Sequence, residues 1–274
     1  MHMGRWALAI LAAATVWGQP DTEPAFEAVS IKRSTPQTPG SGGGMGCRGG
    51  PGSNDPGRIT CLHTGLFLLI MRTYDVPYYR ISGLQAGGQP EFQIDIKVPA
   101  GATREQIGPM WRKVLAERFG LAVHWEKKEM AGYDLVAAKG GVKIRVSDGG
   151  DPIPLSMPMR GPVTDEYLWA QAAAYPGHEV FGLGKARFVA RDSAIEELRS
   201  ALDRELQRPV VDASGLTGKY SFRFWWSPMA ADDGEAGPTI FAALEGQLGL
   251  KLQARKVLVD LLVVDHAERL PTQN

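Results

Sequence analysis

Few side chains in this sequence have the type and spacing that catalysis requires. His63, His124 and His266 fall on three separate predicted elements, unlike the convergent ligands of a metal site. Asp260 and Asp265 lie in the last predicted strand, where they could act as general acid and base or simply mark its solvent face. The sequence also contains no Gly-x-Ser-x-Gly elbow and no intact phosphate-binding loop. We therefore assign no catalytic, cofactor-binding or metal-ligating residue.

The two cysteines, Cys47 and Cys61, flank a loop rich in glycine and proline. In an oxidising compartment a disulfide between them would stabilise the fold by roughly 3 kcal/mol, because it restricts the unfolded chain. The alternative is a pair of free thiols, one of them buried on a strand. The sequence favours the disulfide.

The strand expected over residues 220–226 is unusually rich in aromatic side chains. Alternation places four of them on one face, which core packing explains. Trp225 points to the other face and is the candidate binding residue, since exposed aromatic side chains commonly contact sugars, peptides or protein partners.

The first 18 residues have the features of a secretory signal peptide. Arg5 precedes an apolar run over residues 6–16, and Gly18 provides a small residue at the expected cleavage point. A membrane anchor is the alternative, but a spanning helix needs about 20 apolar residues and this run is shorter. The sequence predicts cleavage after Gly18, export to the periplasm or the medium, and no transmembrane segment afterwards.

The overall composition excludes some partners but identifies none. The chain has 274 residues, of which 44% are hydrophobic, so it can form a sizeable core. Its 30 basic and 30 acidic side chains balance, which argues against nucleic acid as a partner because such proteins need a basic surface.

Regular elements are expected on both sides of a segment rich in proline and glycine. Apolar residues at helical spacing predict amphipathic helices near residues 62–74, 104–119, 195–206 and 240–248. Strands are expected between them, with hairpins formed by residues 121–127 with 133–138 and by residues 251–256 with 259–266. Residues 139–185 are expected to form a linker or an insertion.

The second half of the sequence resembles the first. PYYRISGL at residues 77–84 aligns with PVVDASGL at residues 209–216, and LAERFGL at residues 115–121 aligns with LEGQLGL at residues 244–250. The sequence therefore predicts an α+β protein of two tandem duplicated modules, each with two helices packed on a small mixed sheet. The expected boundaries are residues 1–18 for the signal peptide, 19–138 for the first module, 139–185 for the linker and 186–274 for the second module.

Several blocks of the sequence are similar to one family of exported proteins. They are FEAVSIKR at residues 26–33, PGRIT at 56–60, YDVPYYRISG at 74–83, LAERF at 115–119, VVDASGLTGKY at 210–220 and VDLLVVDH at 259–266. On these blocks the chain resembles the soil-associated exported family that is abundant in acidobacteria and catalogued as a domain of unknown function. The segment Gln89-Pro90-Glu91 departs from the tryptophan-containing turn usual in that family.

The resemblance implies an exported protein without an established activity or catalytic residues. Some members of the family are attached to antibiotic-sensor-type membrane metallopeptidase domains, which implies a role in envelope sensing or interaction. We expect a non-catalytic module that binds an envelope protein, peptide or glycan. A secreted or periplasmic hydrolase with an acid–base site between the repeats is the alternative, and a purely structural secreted protein is a third hypothesis.

Overall fold

The computed structural model shows an α+β protein. It describes residues 24–35, 46–147, 149, 163–174, 176–228 and 237–272. The predicted signal peptide, residues 1–18, lies outside the described residues. No helix in the described part of the chain is long and apolar enough to cross a membrane.

The described residues form helices and strands in alternation. The helices are α1 Leu66–Tyr74, α2 Arg104–Phe119, α3 Asp165–Ala174, α4 Ile195–Leu206 and α5 Ile240–Ala243, the last continued by a π-helical turn over Leu244–Leu248. The strands are β1 Ala28–Arg33, β2 Gly46–Gly49, β3 Arg58–Gly65, β4 Ile81–Ser82, β5 Glu91–Lys97, β6 Ala122–Ala137, β7 Arg145–Val146, β8 Glu179–Gly182, β9 Lys185–Ala194, β10 Val210–Asp212, β11 Lys219–Trp226 and β12 Leu250–His266.

Contacts divide the described chain into two compact units, residues 24–64 with 92–115 and residues 65–91 with 116–272. In the first unit the strands lie in the order β1-β5-β3-β2, with Ile31 opposite Ile94. Most of α2 belongs to this unit, and Gln106 accepts a hydrogen bond from the backbone N–H of Thr103 at its start. This contact is half of a capping box.

The second unit contains a four-stranded sheet in the order β7-β11-β9-β8. The strands β9 and β11 pair antiparallel and carry the aromatic side chains of the core. Four alternate residues of β11 are buried, as the sequence predicts: Tyr220, Phe222, Phe224 and Trp226. Helix α4 packs on this sheet through Ile195, Leu198, Ala201 and Leu202. The predicted amphipathic period of α4 is therefore confirmed.

The same unit contains a second sheet, in the order β10-β6-β12-β4. Its centre is a long antiparallel ribbon in which Glu129 lies opposite Leu258. The prediction of two hairpins was wrong, because β6 and β12 are single strands of 16 and 17 residues that pair with each other. The first predicted turn, residues 128–132, begins with charged, exposed residues in mid-strand, where cross-strand pairs such as Lys256 with Glu129 replace an apolar pattern. The second predicted turn, residues 257–258, lies within β12.

The predicted linker, residues 139–185, contains regular structure where it is described. The strand β7 pairs with β11, and β8 pairs with β9. Helix α3 lies against this hairpin, with Leu168 and Gly182 in close approach. The boundaries of the compact units also differ from the module boundaries expected at residues 138 and 186.

Candidate functional site

A cleft of about 720 Å³ opens between the C-terminal ends of α1 and α4 in the second unit. We call it the helix-end cleft. Its lining residues are Leu68, Met71, Arg72, Asp75, Val76, Pro77, Tyr78, Tyr79, Arg80, Arg199, Ser200, Asp203, Arg204, Gln207, Pro209, Val210, Val211, Val257 and Val259. Its volume lies within the range typical of small-ligand sites, roughly 300–1,000 Å³.

The two helices that bound the cleft end in the same way. Helix α1 ends at Asp75 in the left-handed conformation, and Pro77 follows two residues later. Helix α4 ends at Gln207 in the same conformation, followed by Pro209. A left-handed cap with a proline shortly after it ends a helix and turns the chain away. Both chains therefore leave their helices beside the same opening.

The strand after α4 approaches the ribbon closely, and this fixes one side of the cleft. Gly132 in β6 lies directly under the backbone oxygen of Pro209, and a Cβ at Gly132 would overlap that oxygen. The N–H of Tyr133 donates to the same oxygen at 2.9 Å. Only glycine allows this approach without displacing the backbone.

A polar network centred on Asp203 joins the two helix ends. The Tyr79 hydroxyl donates to Oδ2 of Asp203 at 2.7 Å, and the backbone N–H of Val210 donates to Oδ1 at 2.7 Å. Arg199 Nη1 lies 3.5 Å from Oδ1 and donates to the Val210 carbonyl oxygen at 3.1 Å. Because Asp203 is largely buried, these donors compensate for its lost hydration.

The network and its surroundings raise the pKa of two of its members, Tyr79 and Arg199. Burial, followed by the hydrogen bond to Asp203, raises the pKa of Tyr79 well above its usual value. The carboxylate of Glu196, followed by that of Asp203, raises the pKa of Arg199. Tyr79 is therefore a neutral hydrogen-bond donor at neutral pH, and the Asp203 oxygens are already used for structure. This arrangement suits positioning rather than proton transfer.

The predicted binding residue Trp225 lies elsewhere in the second unit. Its side chain is half-buried, with Lys185 Nζ 4.7 Å from the ring centroid. Its backbone N–H donates to Oε1 of Gln247, and Nε2 of Gln247 donates to the Trp225 carbonyl oxygen. Trp225 does not line the helix-end cleft.

The ribbon of β6 and β12 brings His124 close to Asp265 but leaves Asp260 in a separate contact. His124 Nδ1 lies 2.8 Å from Oδ2 of Asp265, and His124 Nε2 lies 3.2 Å from Glu126. These two carboxylates raise the pKa of His124, with Asp265 contributing most. Asp260 pairs separately with Lys127 at 2.7 Å. None of these side chains lines the helix-end cleft.

His266 lies 3.1 Å from Glu268, and His63 lies on β3 in the first unit. Within the part of the chain that the structure describes, no three histidine, cysteine, aspartate or glutamate side chains form a group suited to a metal ion.

The predicted disulfide between Cys47 and Cys61 is confirmed. The two residues lie opposite each other on β2 and β3, and their sulfur atoms are bonded. The disulfide belongs to the first unit, whereas the helix-end cleft belongs to the second.

A buried arginine forms a second polar centre that the sequence analysis missed. Arg187 on β9 has a fully buried side chain and pairs with Asp165 at the start of α3. Its Nη1 also donates to the carbonyl oxygens of Gly182 and Lys185 at 3.0 and 3.3 Å. Its guanidinium carbon lies 5.9 Å from the ring centroid of Trp169. These contacts hold α3 against the β8–β9 hairpin, which is a structural role.

The helix-end cleft was not predicted from the sequence either. Its lining residues are mostly helix-terminal and turn residues, whose types are explained locally by capping. A signal was nevertheless present, because the aligned blocks at residues 77–84 and 209–216 each begin at a cleft proline.

The fold and the cleft together define an α+β protein with a mixed polar and apolar ligand-sized cleft. The family described as "Protein of unknown function (DUF3738)" matches residues 68–267, and the chain belongs to this family. Every lining residue of the helix-end cleft lies within the matched segment, whereas both cysteines lie before it. Comparison with curated proteins and with solved structures finds no match.

Proposed function

We propose that this protein is a non-catalytic binding module whose ligand site is the helix-end cleft. The observation that supports this most directly is a ligand-sized cleft bounded by the ends of two helices that terminate in the same way. Its walls come from the ends of α1 and α4 and from the segments that follow them, and its floor includes Val257 and Val259 of β12.

The proposal includes a tandem duplication, and unusual backbone conformations support it. Residues with positive φ recur at matched positions, at an offset of 129 or 132 residues, as in the sequence alignment. The pairs are His63 (φ 47°) with Asp192 (45°), Asp75 (51°) with Gln207 (50°), Gly83 (82°) with Gly215 (74°), and Gly120 (55°) with Gly249 (67°). Non-glycine residues rarely adopt such angles, so the recurrence of His63 with Asp192 and of Asp75 with Gln207 at the offsets of the aligned blocks favours a common origin.

Strand order supports the duplication as well. Taken in chain order, strands β1 to β6 correspond to strands β7 to β12. With this correspondence, the sheet order β1-β5-β3-β2 of the first half is the same as the order β7-β11-β9-β8 of the second half. In the remaining sheet, β6 pairs parallel with β10, and its counterpart β12 pairs parallel with β4. The offset of 129 carries β6 onto residues 251–266, which is nearly the extent of β12. It also carries Glu129 onto its own cross-strand partner, Leu258.

The cleft lies where equivalent positions of the two halves meet. At the offset of 132, seven pairs of equivalent residues line it. They are Leu68 with Ser200, Met71 with Asp203, Arg72 with Arg204, Asp75 with Gln207, Pro77 with Pro209, Tyr78 with Val210, and Tyr79 with Val211. Because residues of both copies line the cleft, one copy alone could not form it, and this favours a binding function for the duplicated chain.

The alternative, a secreted or periplasmic hydrolase with an acid–base site between the repeats, has weaker support. The pair of His124 and Asp265 has the spacing of a catalytic dyad. However, Glu126 occupies the second ring nitrogen of His124, and the pair does not line the cleft. The cleft carboxylate Asp203 already accepts hydrogen bonds from Tyr79 and from the backbone.

Export to the periplasm or the medium is part of the proposal. The disulfide favours an oxidising compartment, and the sequence of residues 1–18 favours a signal peptide. The partner would then be an envelope protein, peptide or glycan rather than a nucleic acid.

The proposal can be tested by blocking the cleft. Ser200→Trp places a large side chain on the α4 wall, and Glu197→Trp on an exposed position of α4 outside the lining is the matched control. The wild type and both variants are immobilised and exposed to fractionated envelope extract. We expect the wild type and Glu197→Trp to retain the same component and Ser200→Trp to retain about tenfold less. Equal retention by all three, or no specific retention by the wild type, would overturn the proposal.

A further inference from the structure

The charged residues that line the helix-end cleft are unevenly balanced. The lining contains four arginines, namely Arg72, Arg80, Arg199 and Arg204, but only two carboxylates, those of Asp75 and Asp203. Asp203 and Arg199 are engaged with each other and with Tyr79, Glu196 and the backbone of Val210. Of the three remaining arginines, Arg204 contacts Glu179 outside the lining, whereas Arg72 and Arg80 form no ion pair among the described residues and outnumber the one exposed aspartate, Asp75.

The three remaining arginines retain donors for a ligand. Among the described residues, none forms an ion pair or hydrogen bond with the exposed Arg72. Arg80 donates through Nε to the carbonyl oxygen of Asp260, which leaves its terminal nitrogens available. Arg204 lies 3.4 Å from both Glu179 Oε1 and the Gly177 carbonyl oxygen, which are long contacts for a half-exposed side chain.

The floor between these arginines is aliphatic. Val257 and Val259 are buried at 9% and 7% exposure, and Met71, Pro77 and Pro209 also line the cleft. Such a floor can take up an apolar side chain. Tyr78, which is 50% exposed, also lines the cleft. The ring of Tyr78 packs against Phe67 at a centroid distance of 5.0 Å.

We propose that the helix-end cleft binds an acidic peptide segment of a partner protein, with two carboxylate side chains flanking an apolar residue. Arg72 and Arg204, the equivalent arginines of α1 and α4, hold the two carboxylates, and the apolar residue lies over Val257 and Val259. This inference rests on the proposed binding function and specifies its ligand. Guanidinium groups suit this role because they bind carboxylates in a bidentate geometry.

The test uses the full chain and three labelled peptides that differ only in charge, with cores Glu-Val-Glu, Gln-Val-Gln and Lys-Val-Lys, measured by fluorescence anisotropy. We expect the acidic peptide to bind most tightly and to weaken as salt is raised, because the arginines are partly exposed. Arg72→Gln and Arg204→Gln should each lower its affinity about three- to tenfold, and the double variant about 10- to 100-fold. Arg208→Gln, an exposed neighbour outside the lining, should change the affinity less than about twofold.

The outcomes separate this inference from the proposed function. If Gln-Val-Gln binds as tightly as the acidic peptide and Ser200→Trp abolishes the binding, the cleft is a binding site but the acidic ligand class is wrong. If the acidic peptide binds Ser200→Trp as well as the wild type, the site lies elsewhere and both proposals fail. If none of the three peptides binds, the acidic ligand class is overturned, and the envelope-extract experiment alone decides the proposed function.

Discussion

The hydrogen bond between Tyr79 and Asp203 gives the sharpest test of how the cleft is held together. Tyr79→Phe removes the hydroxyl that lies 2.7 Å from Asp203 Oδ2 and leaves the ring in place. Hydrogen bonds to charged groups contribute about 1.5–3 kcal/mol, and this one lies at the lower end because Asp203 keeps its contacts with Val210 and Arg199. We expect Tyr79→Phe to lower the free energy of unfolding by about 1–2 kcal/mol.

A double-mutant cycle isolates this contact from the other effects of each substitution. Asp203→Ala removes the acceptor of Tyr79, of the Val210 N–H and of Arg199, so it should cost about 2–4 kcal/mol. In the double variant the Tyr79 bond is already lost, and we expect a coupling energy of about 1–2 kcal/mol from urea unfolding followed by circular dichroism. Tyr78→Phe is the matched control, because Tyr78 is 50% exposed; it should change stability by less than about 0.5 kcal/mol. A coupling energy indistinguishable from zero would refute the role given to this bond.

The same bond predicts the behaviour of stability at high pH. The pKa of Tyr79 is raised in the folded state, mainly by burial, so the folded protein holds the hydroxyl proton more tightly than the unfolded chain does. This contribution is complete below a pH of about 10, the usual tyrosine pKa, and is lost as pH rises further. We expect the decline in stability above that pH to be shallower in Tyr79→Phe than in Tyr78→Phe. Identical declines would contradict this assignment.

Three further tests, each measured by urea unfolding, concern contacts outside the cleft. Cys47→Ser with Cys61→Ser should lower the stability of the first unit by about 3 kcal/mol, since the bond closes a separation of 14 residues, and a loss below about 1 kcal/mol would contradict this. Asp165→Asn should lower stability by about 2–3 kcal/mol, because it leaves the buried Arg187 without its carboxylate partner. Adding Arg187→Met should recover part of that loss, and a double variant that is less stable than Asp165→Asn would contradict this. Gly83→Ala should lower stability by at least about 2 kcal/mol, because φ at Gly83 is +82° and a Cβ there would overlap the backbone of β12. The control Gly87→Ala, in open space, should leave stability nearly unchanged, and similar losses for the two variants would contradict this prediction.

Local patterns in the sequence were enough to predict α1, α2, α4, α5 and the buried face of β11, but not α3, which lies in the expected linker. The apolar period of α4 depends only on residues within the helix, and the alternation in β11 depends only on neighbours along the strand. The disulfide was predictable for a similar reason, since Cys47 and Cys61 flank a short loop.

The ribbon of β6 and β12 was not predictable in this way. Its middle section is charged and exposed on β6, so it lacks the alternating apolar pattern that indicates a strand. Its stability depends on a partner more than 100 residues away, through contacts such as Lys127 with Asp260. Long-range pairing of this kind leaves little trace in a local window of sequence.

The cleft was missed because its residues have local explanations. A proline after a helix end is explained by termination, and an arginine in a last helical turn by the helix dipole. Only the constant spacing between Arg72 and Arg204, and between Pro77 and Pro209, links the two helix ends, and it becomes informative once both are known to border one opening.

The proposed duplication implies that the two sides of the cleft differ in polarity. At the proposed equivalences, Tyr79 corresponds to Val211 and Asp203 corresponds to Met71, so the polar pair of Tyr79 with Asp203 has an apolar counterpart, Val211 with Met71. An exact duplicate would offer a ligand two identical ends, and a peptide could bind in either orientation. In this chain the two ends differ in polarity while the arginines on both helices are retained. A peptide held by both arginines would therefore bind preferentially in one orientation, because the lining pair of Tyr79 and Asp203 is polar and the lining pair of Val211 and Met71 is apolar.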